Sequence, residues 1–236
     1  RQRQMCIRDR DNTGKYTSLL WEPNEYINIM VYPFTDSQIL GISTFPYSLK
    51  DFFLEGTQQV SASWITLENL SFPYCISINS SYIYEQSTDE RINQNDAAIT
   101  LAHELGHYLG LRHVFSEGGT TSMCTDTDYC KDTPSYNRSE YEQWLNNLDK
   151  QNKYQLKDLA KRYSCEKGEY EAHNIMDYAY CFYNEITLEQ RKRIRHILNY
   201  SPLIPGPKES RIDTRGVQGR LNLPICICLL YTSPSP

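Results

Sequence analysis

The segment HELGHYLGLRH, residues 103–113, constrains the fold more than any other stretch, because it holds three of the five histidines of the chain. Helical residues four positions apart lie on one face, so His103 and His107 can direct both imidazoles at one metal ion. Gly110 permits a sharp turn that a side chain would resist, and this turn can return His113 as a third ligand. Three nitrogen ligands leave zinc one open coordination position, as in catalytic sites.

Glu104 follows the first of these histidines. Its carboxylate can reach a water molecule on the metal without binding the metal itself. Since zinc lowers the pKa of such a water to about 7, we predict that Glu104 accepts its proton and later delivers it to a leaving amine. The alternative is an amphipathic core helix whose histidines are satisfied by ordinary hydrogen bonds, and the match of five fixed letters in one short segment argues against it.

Both ends of the chain resemble translated sequencing adapter. MCIRDR near the start and CLLYT near the end can be written as opposite strands of one DNA word. We therefore expect residues 1–10 and 228–236 to be adapter-derived, and the natural chain to continue beyond both. Any signal peptide, pro-segment or lipid-anchoring cysteine would then lie outside this sequence.

Composition narrows the class of protein. The net charge of -5 includes no basic stripe that could neutralise phosphates, which argues against nucleic-acid binding. No apolar run is long enough to span a bilayer. The cysteines between residues 11 and 225 contain no C-x-x-C pair, which disfavours a cysteine zinc site and favours disulfides in an oxidising compartment.

The order of patterns predicts an α+β chain with a cleft between two lobes. Strands come first, and the histidine helix, capped by Asn95 or Asp96, follows. A polar helical stretch and an amphipathic helix that opens on Thr187 come last. The predicted strands are 26–34 and 39–48, which could be neighbours, and 74–84, while 56–67 is a strand or an extended loop. The predicted later helices are 139–162 and 187–200.

The motif resembles that of the metzincin metallopeptidases, H-E-x-x-H-x-x-G-x-x-H followed by a Met-turn. HNIMDY, residues 173–178, places Met176 where the Met-turn methionine lies beneath the metal. The extension LGLRHVF, the D-T-P at 132–134 and the N-x-M-D-Y turn before Cys181 are similar to the pappalysin branch. The chain is also similar, more loosely, to bacterial zinc-dependent metalloproteinase lipoproteins.

The resemblance implies a two-lobed catalytic domain with a twisted, mostly parallel sheet, an active-site helix, and an irregular lobe that carries the Met-turn and a C-terminal helix. We expect this domain at 11–204, with its upper lobe at about 11–112 and its lower lobe at about 113–204, and an uncertain tail at 205–227. It further implies that Tyr178 stabilises the oxyanion of the tetrahedral intermediate, and that segment 39–48 pairs with an extended substrate. The alternatives are that Tyr178 is a packing tyrosine and that segment 39–48 is an ordinary strand.

Two further features stay open at the level of sequence. The family likeness implies a disulfide between Cys165 and Cys181. Cys124 and Cys130 could form a second pair, which would leave Cys75 over. The acidic segment after Cys124 could bind calcium, as pappalysin relatives do, or be a solvated loop. Its carboxylates are Asp126, Asp128 and Asp132. The remaining histidines, His173 and His196, are expected to be structural.

The leading prediction is a zinc-dependent endopeptidase that acts on protein or peptide substrates. We expect it to be extracytoplasmic, either secreted or lipid-anchored at the cell surface. One alternative is a peptide- or glycan-binding module that keeps the zinc helix as a scaffold without turnover. Another is a zinc hydrolase of a non-peptide amide. The amino-acid sequence predicts neither the cleavage specificity nor the oligomeric state.

Overall fold

The computed structural model describes residues 20–65, 74–116, 124, 128–149, 152–166, 168–206 and 208. Within them the chain is a mixed α+β fold, and no helix is long and apolar enough to cross a membrane. The strands are β1 (Ile29–Tyr32), β2 (Gly41–Ser43), β3 (Tyr47–Leu49), β4 (Gln58–Val60), β5 (Ile76–Asn79), β6 (Lys161–Ser164) and β7 (Gly168–Glu171). The α-helices are α1 (Ala97–Tyr108), α2 (Arg138–Asn146), α3 (Leu156–Leu159) and α4 (Leu188–Tyr200).

The main sheet has the strand order β1-β5-β2, with β1 parallel and β2 antiparallel to β5. The prediction that the first two strands are neighbours is therefore wrong, because β5 lies between them. All four residues of β5 are buried, as expected for a central strand, whereas β2 is only partly buried. The expected mostly parallel sheet is likewise corrected to a small mixed one, with separate pairs β3-β4 (parallel) and β6-β7 (antiparallel).

The largest core cluster joins the sheet to helices α1 and α4. Ile76 and Ile78 of β5 pack with Tyr108 of α1 and Ile197 of α4. The last helix begins as predicted, because the Thr187 side chain accepts from the amide of Gln190 and the Gln190 side chain accepts from the amide of Thr187. One face of helix α1 packs on the sheet and on α4. This packing determines which opposite face of α1 is turned away from the sheet.

The predicted helical stretch 139–162 is wrong in its second half. Helix α2 ends at Asn146, α3 is a single turn, and residues 161–164 form strand β6. In β6 the side chain of Arg162 is buried while its neighbours Lys161 and Tyr163 are exposed. A strand whose inward residue is arginine has no hydrophobic alternation, so its sequence pattern gave no sign of a strand.

The disulfide pairing also differs from the expectation. Cys165 is bonded to Cys124, with Cα atoms 6.0 Å apart, and Cys181 and Cys130 are buried free thiols, as is Cys75. The Sγ of Cys181 instead donates to the carbonyls of Ala172 and Asn174, at 3.2 Å and 3.3 Å. The predicted pairs of Cys165 with Cys181 and of Cys124 with Cys130 are therefore corrected.

We expect non-reducing peptide mapping to recover Cys124 linked to Cys165. Cys165→Ser should lower the free energy of unfolding by about 2–5 kcal/mol, the usual loss on removing a native disulfide. A reducing agent should lower the midpoint of thermal unfolding of the parent chain and leave that of the variant unchanged. Recovery of a Cys165–Cys181 peptide would contradict this pairing.

Candidate metal centre and active site

Helix α1 and the turn after it bring the three histidines of the motif together. His103 and His107 lie one turn apart on α1, which ends at Tyr108. Gly110 then has a φ of +87°, and a Cβ on it would lie 2.7 Å from Cγ1 of Ile197. The turn thus needs glycine for both its conformation and its space, and it brings His113 back to the helix.

The three Nε2 atoms face one another at separations of 3.0–3.2 Å. The Nδ1 of His103 is 2.8 Å from the carbonyl of Ile175, and the Nδ1 of His107 is 2.8 Å from that of Leu111. A carbonyl can only accept, so in both rings the proton is on Nδ1 and the Nε2 lone pair faces the cluster. This arrangement orients ligands before a metal arrives.

The donor set fits a zinc ion. Zinc bonds to imidazole of about 2.0–2.1 Å in tetrahedral geometry place neighbouring nitrogens about 3.3 Å apart, close to the separations here. Within the described residues, these histidines are the one group of three or more His, Cys, Asp or Glu side chains close enough to share a metal. His173 stacks on Phe182 and His196 is 3.0 Å from the carbonyl of Phe52, both apart from this group.

Burial keeps the imidazoles neutral. It lowers the pKa of His103 to about 4, against the opposing effect of the hydrogen bond to Ile175. Burial and the neighbouring histidines also hold the pKa values of His107 and His113 well below the ordinary value. Neutral imidazole is the form that binds metal, so the site is in its binding state at neutral pH.

Glu104 lies between α1 and the edge strand β2, and only 8% of it is exposed. Its Oε2 accepts a hydrogen bond of 2.8 Å from the hydroxyl of Ser43. Burial raises the pKa of the Glu104 carboxyl to about 7, while the bond from Ser43 acts in the opposite direction. A carboxyl that exchanges its proton near neutral pH suits general acid–base chemistry.

Met176, the predicted Met-turn residue, packs against helix α1. It is fully buried against Leu111 and Val114, and its carbonyl accepts from the amide of Val114 at 3.3 Å. A Cβ on Gly106 of α1 would collide with Sδ of Met176, so the helix approaches the turn at a residue without a side chain. Met176 thereby supports both the helix and the segment that carries His113.

Tyr178 lies beside the histidine cluster. Its ring centroid is 4.4 Å from that of His113 and 5.2 Å from that of His103. The guanidinium of Arg138, at the start of α2, lies 4.8 Å from the centroid of the Tyr178 ring. The structure therefore brings the three histidines predicted as zinc ligands, Glu104 and Tyr178 close together.

Arg162 was missed by the sequence reasoning, and it holds the turn that carries Tyr178. Its Nη2 donates to the carbonyls of Tyr178, Ala179 and Tyr180 at 2.9–3.4 Å. Ala179 and Tyr180 have φ values of 47° and 38°, a conformation that is costly for residues other than glycine. Nε of Arg162 also lies 3.6 Å from the carboxylate of Asp177, which accepts from the hydroxyl of Tyr136. The buried cation thus stabilises an otherwise unfavourable turn.

The model of the peptidase family M43, described as pregnancy-associated plasma protein-A, matches residues 56–199. The chain belongs to this family. The predicted likeness to the pappalysin branch of the metzincins is thereby confirmed. The matched segment includes helix α1, the three histidines and the Met-turn.

Individual relatives agree with this assignment. The chain is 31% identical over 188 residues to an extracellular metalloprotease of Arthroderma otae, covering 78% of this chain and 55% of the relative. It is 30% identical, with the same coverage, to an extracellular metalloprotease of Arthroderma benhamiae. The chain thus spans about half the length of these relatives. A solved structure, mature mirolysin of Tannerella forsythia with a cleaved peptide, aligns at a TM-score of 0.41 and 20% identity over 75% of this chain and 53% of mirolysin.

The predicted calcium site finds no support. Asp126 lies outside the described residues. Asp128 accepts from the amide of Cys130 and the hydroxyl of Thr133. Asp132 accepts from the side chain of Thr187 and the amide of Glu189 at the start of α4. Both described carboxylates thus bond to donors of the chain itself, and Asp132 caps a helix.

We expect Arg162→Met to lower the free energy of unfolding by about 3–5 kcal/mol, because it leaves Asp177 buried without a cation. Arg91→Met is the matched control, since Arg91 is also ion-paired but lies exposed beside Asp89. That control should change stability much less. Urea unfolding of the three proteins measures the difference, and equal losses in both variants would contradict the role of Arg162.

We expect Glu104→Gln to stabilise the metal-free chain more at pH 8 than at pH 4.5. Burial holds the pKa of the Glu104 carboxyl near 7 in the native chain, above the unfolded value of about 4.3. The carboxyl therefore lowers the free energy of unfolding little below pH 4.5, and by the full amount above pH 7, where it is ionised in both states. The gain should reach roughly 3 kcal/mol at pH 8. Urea unfolding in the presence of a chelator tests this, and the histidine titrations cancel because both proteins share them. A gain independent of pH would contradict it.

Proposed function

We propose that this chain is the catalytic part of a zinc-dependent endopeptidase. The observation that carries the proposal is the convergence of three neutral imidazoles, with two of their Nδ1 atoms held by backbone carbonyls. His103, His107 and His113 would bind the zinc ion. Histidines with only a structural role would not require their three Nε2 atoms to lie within 3.0–3.2 Å of one another.

Glu104 acts as the general base and then as the general acid. Zinc, when bound, makes a water molecule acidic enough to ionise near neutral pH and polarises the substrate carbonyl. Glu104 accepts the proton of the attacking water on its carboxylate and passes it to the nitrogen of the leaving amine.

Tyr178 would donate its hydroxyl to the oxyanion that forms on the substrate carbonyl. Its ring lies against His103 and His113, beside the place where that carbonyl must bind. A donor held in advance stabilises developing charge without reorganisation during the reaction. Arg162 contributes by fixing the backbone of the turn, and Met176 by supporting the helix.

The substrate would be a protein or peptide bound in an extended conformation. Strand β2 flanks Glu104 and ends the main sheet on one side within the described residues, so its outer edge can pair with a peptide backbone. The relatives named extracellular metalloproteases favour an extracytoplasmic location for this chain too. The disulfide between Cys124 and Cys165 is compatible with that setting.

We expect Glu104→Gln to retain one zinc ion per chain and to lose hydrolysis of fluorescently labelled casein by at least about a hundredfold, as removal of a general base typically does. His113→Ala should lose both zinc and activity. His196→Gln, a histidine outside the cluster, should keep both. Zinc is measured by atomic absorption. Casein turnover by Glu104→Gln equal to that of the parent chain would refute the mechanism, and loss of zinc from His196→Gln alone would refute the ligand set.

A further inference from the structure

Strand β2 contacts the proposed general base through two residues that the sequence motif does not include. Gly41 and Ser43 are two positions apart on β2, so they project to the same face of the sheet. That face is turned toward helix α1. Ser43 donates its hydroxyl to Oε2 of Glu104 at 2.8 Å, and Gly41 lies directly against the Glu104 side chain.

The space at Gly41 is taken by Glu104. A Cβ on Gly41 would lie 2.6 Å from Cγ of Glu104, 3.2 Å from its Cδ and 3.0 Å from Cγ2 of Thr100. The backbone at Gly41 needs no left-handed conformation, because it is regular strand paired with Ile78. The absence of a side chain at this position therefore serves the packing of Glu104 and not the conformation of the strand.

The hydrogen bond from Ser43 gives the two carboxylate oxygens of Glu104 different roles. Oε2 accepts from the hydroxyl, which leaves Oε1 as the oxygen available to exchange a proton with water. A Glu side chain has three rotatable torsions, and a bond at one oxygen together with contact at Cγ restricts them. A general base must be held within hydrogen-bond reach of the proton that it takes, so this restriction bears directly on the rate.

We propose that Ser43 is a positioning residue for Glu104, and that Gly41 provides the space in which Glu104 is held. The inference rests on the proposed function for its effect on the rate, but the contact itself is independent of it. Ser43 touches neither substrate nor metal in this role and acts through the carboxylate of Glu104. The strand that would pair with the peptide substrate thus also orients the general base that takes the proton of the attacking water.

The first test separates turnover from substrate binding. Ser43→Ala should lower kcat on labelled casein by about tenfold, with KM and bound zinc unchanged, because the substrate backbone can still pair with β2. Ser43→Thr restores the hydroxyl and should recover most of the rate. Gly41→Ala should lower kcat at least as much as Ser43→Ala. Ser63→Ala, which removes an exposed hydroxyl away from the site, is the matched control and should leave kcat unchanged.

The second test needs no hydrolysis. In the chelated chain, Ser43→Ala, Glu104→Ala and the double variant form a cycle that measures the coupling of the two side chains by urea unfolding. We expect a coupling of about tenfold in the unfolding equilibrium constant at pH 8, where the carboxylate accepts the bond. Additive effects, or a change in KM with kcat retained, would overturn the role of Ser43. A parent chain that binds zinc yet cleaves no casein would refute the proposed function, while the cycle would still decide whether the two side chains are coupled.

Discussion

The packing of three imidazoles against one another, two of them with a tautomer fixed by backbone carbonyls, is the constraint on which the rest of this structure depends. A buried polar ring is stable only when its nitrogens have partners, and here carbonyls of Ile175 and Leu111 accept from two of the Nδ1 atoms. One carbonyl belongs to the Met-turn and the other to the turn after helix α1. The site can therefore form only when both turns have reached their final positions against the helix.

Two glycines and a buried cation allow those turns to approach. Gly106 lets Met176 reach the helix, and Gly110 lets the chain reverse toward His113. Arg162 then stabilises the carbonyls of the segment that follows the Met-turn, where non-glycine residues adopt positive φ. Each of these features costs stability by itself and is compensated by a contact with another part of the chain.

Glu104 shows the same dependence between distant segments. It is adjacent to a proposed ligand in sequence, yet its carboxylate is bonded by a serine sixty-one positions earlier. Burial in that position raises the pKa of the carboxyl to about 7 in the metal-free chain. The histidine helix supplies the base, and the edge strand determines how that base is held.

The sequence by itself determined the family and the turn at Gly110, and it predicted the metal ligands and the Met-turn, because each depends on local spacing along the chain. The bounds of the helix at 188–200 follow from local periodicity and the Thr187 cap, whereas the helix at 97–108 starts after Asp96 without a hydrogen bond from that side chain. Only the tertiary structure decided the order of the strands, the Cys124–Cys165 pair and the roles of Arg162 and Ser43. These features depend on contacts between residues far apart in the chain, and a buried arginine in a strand or a serine on an edge leaves no periodic signal that local patterns could reveal.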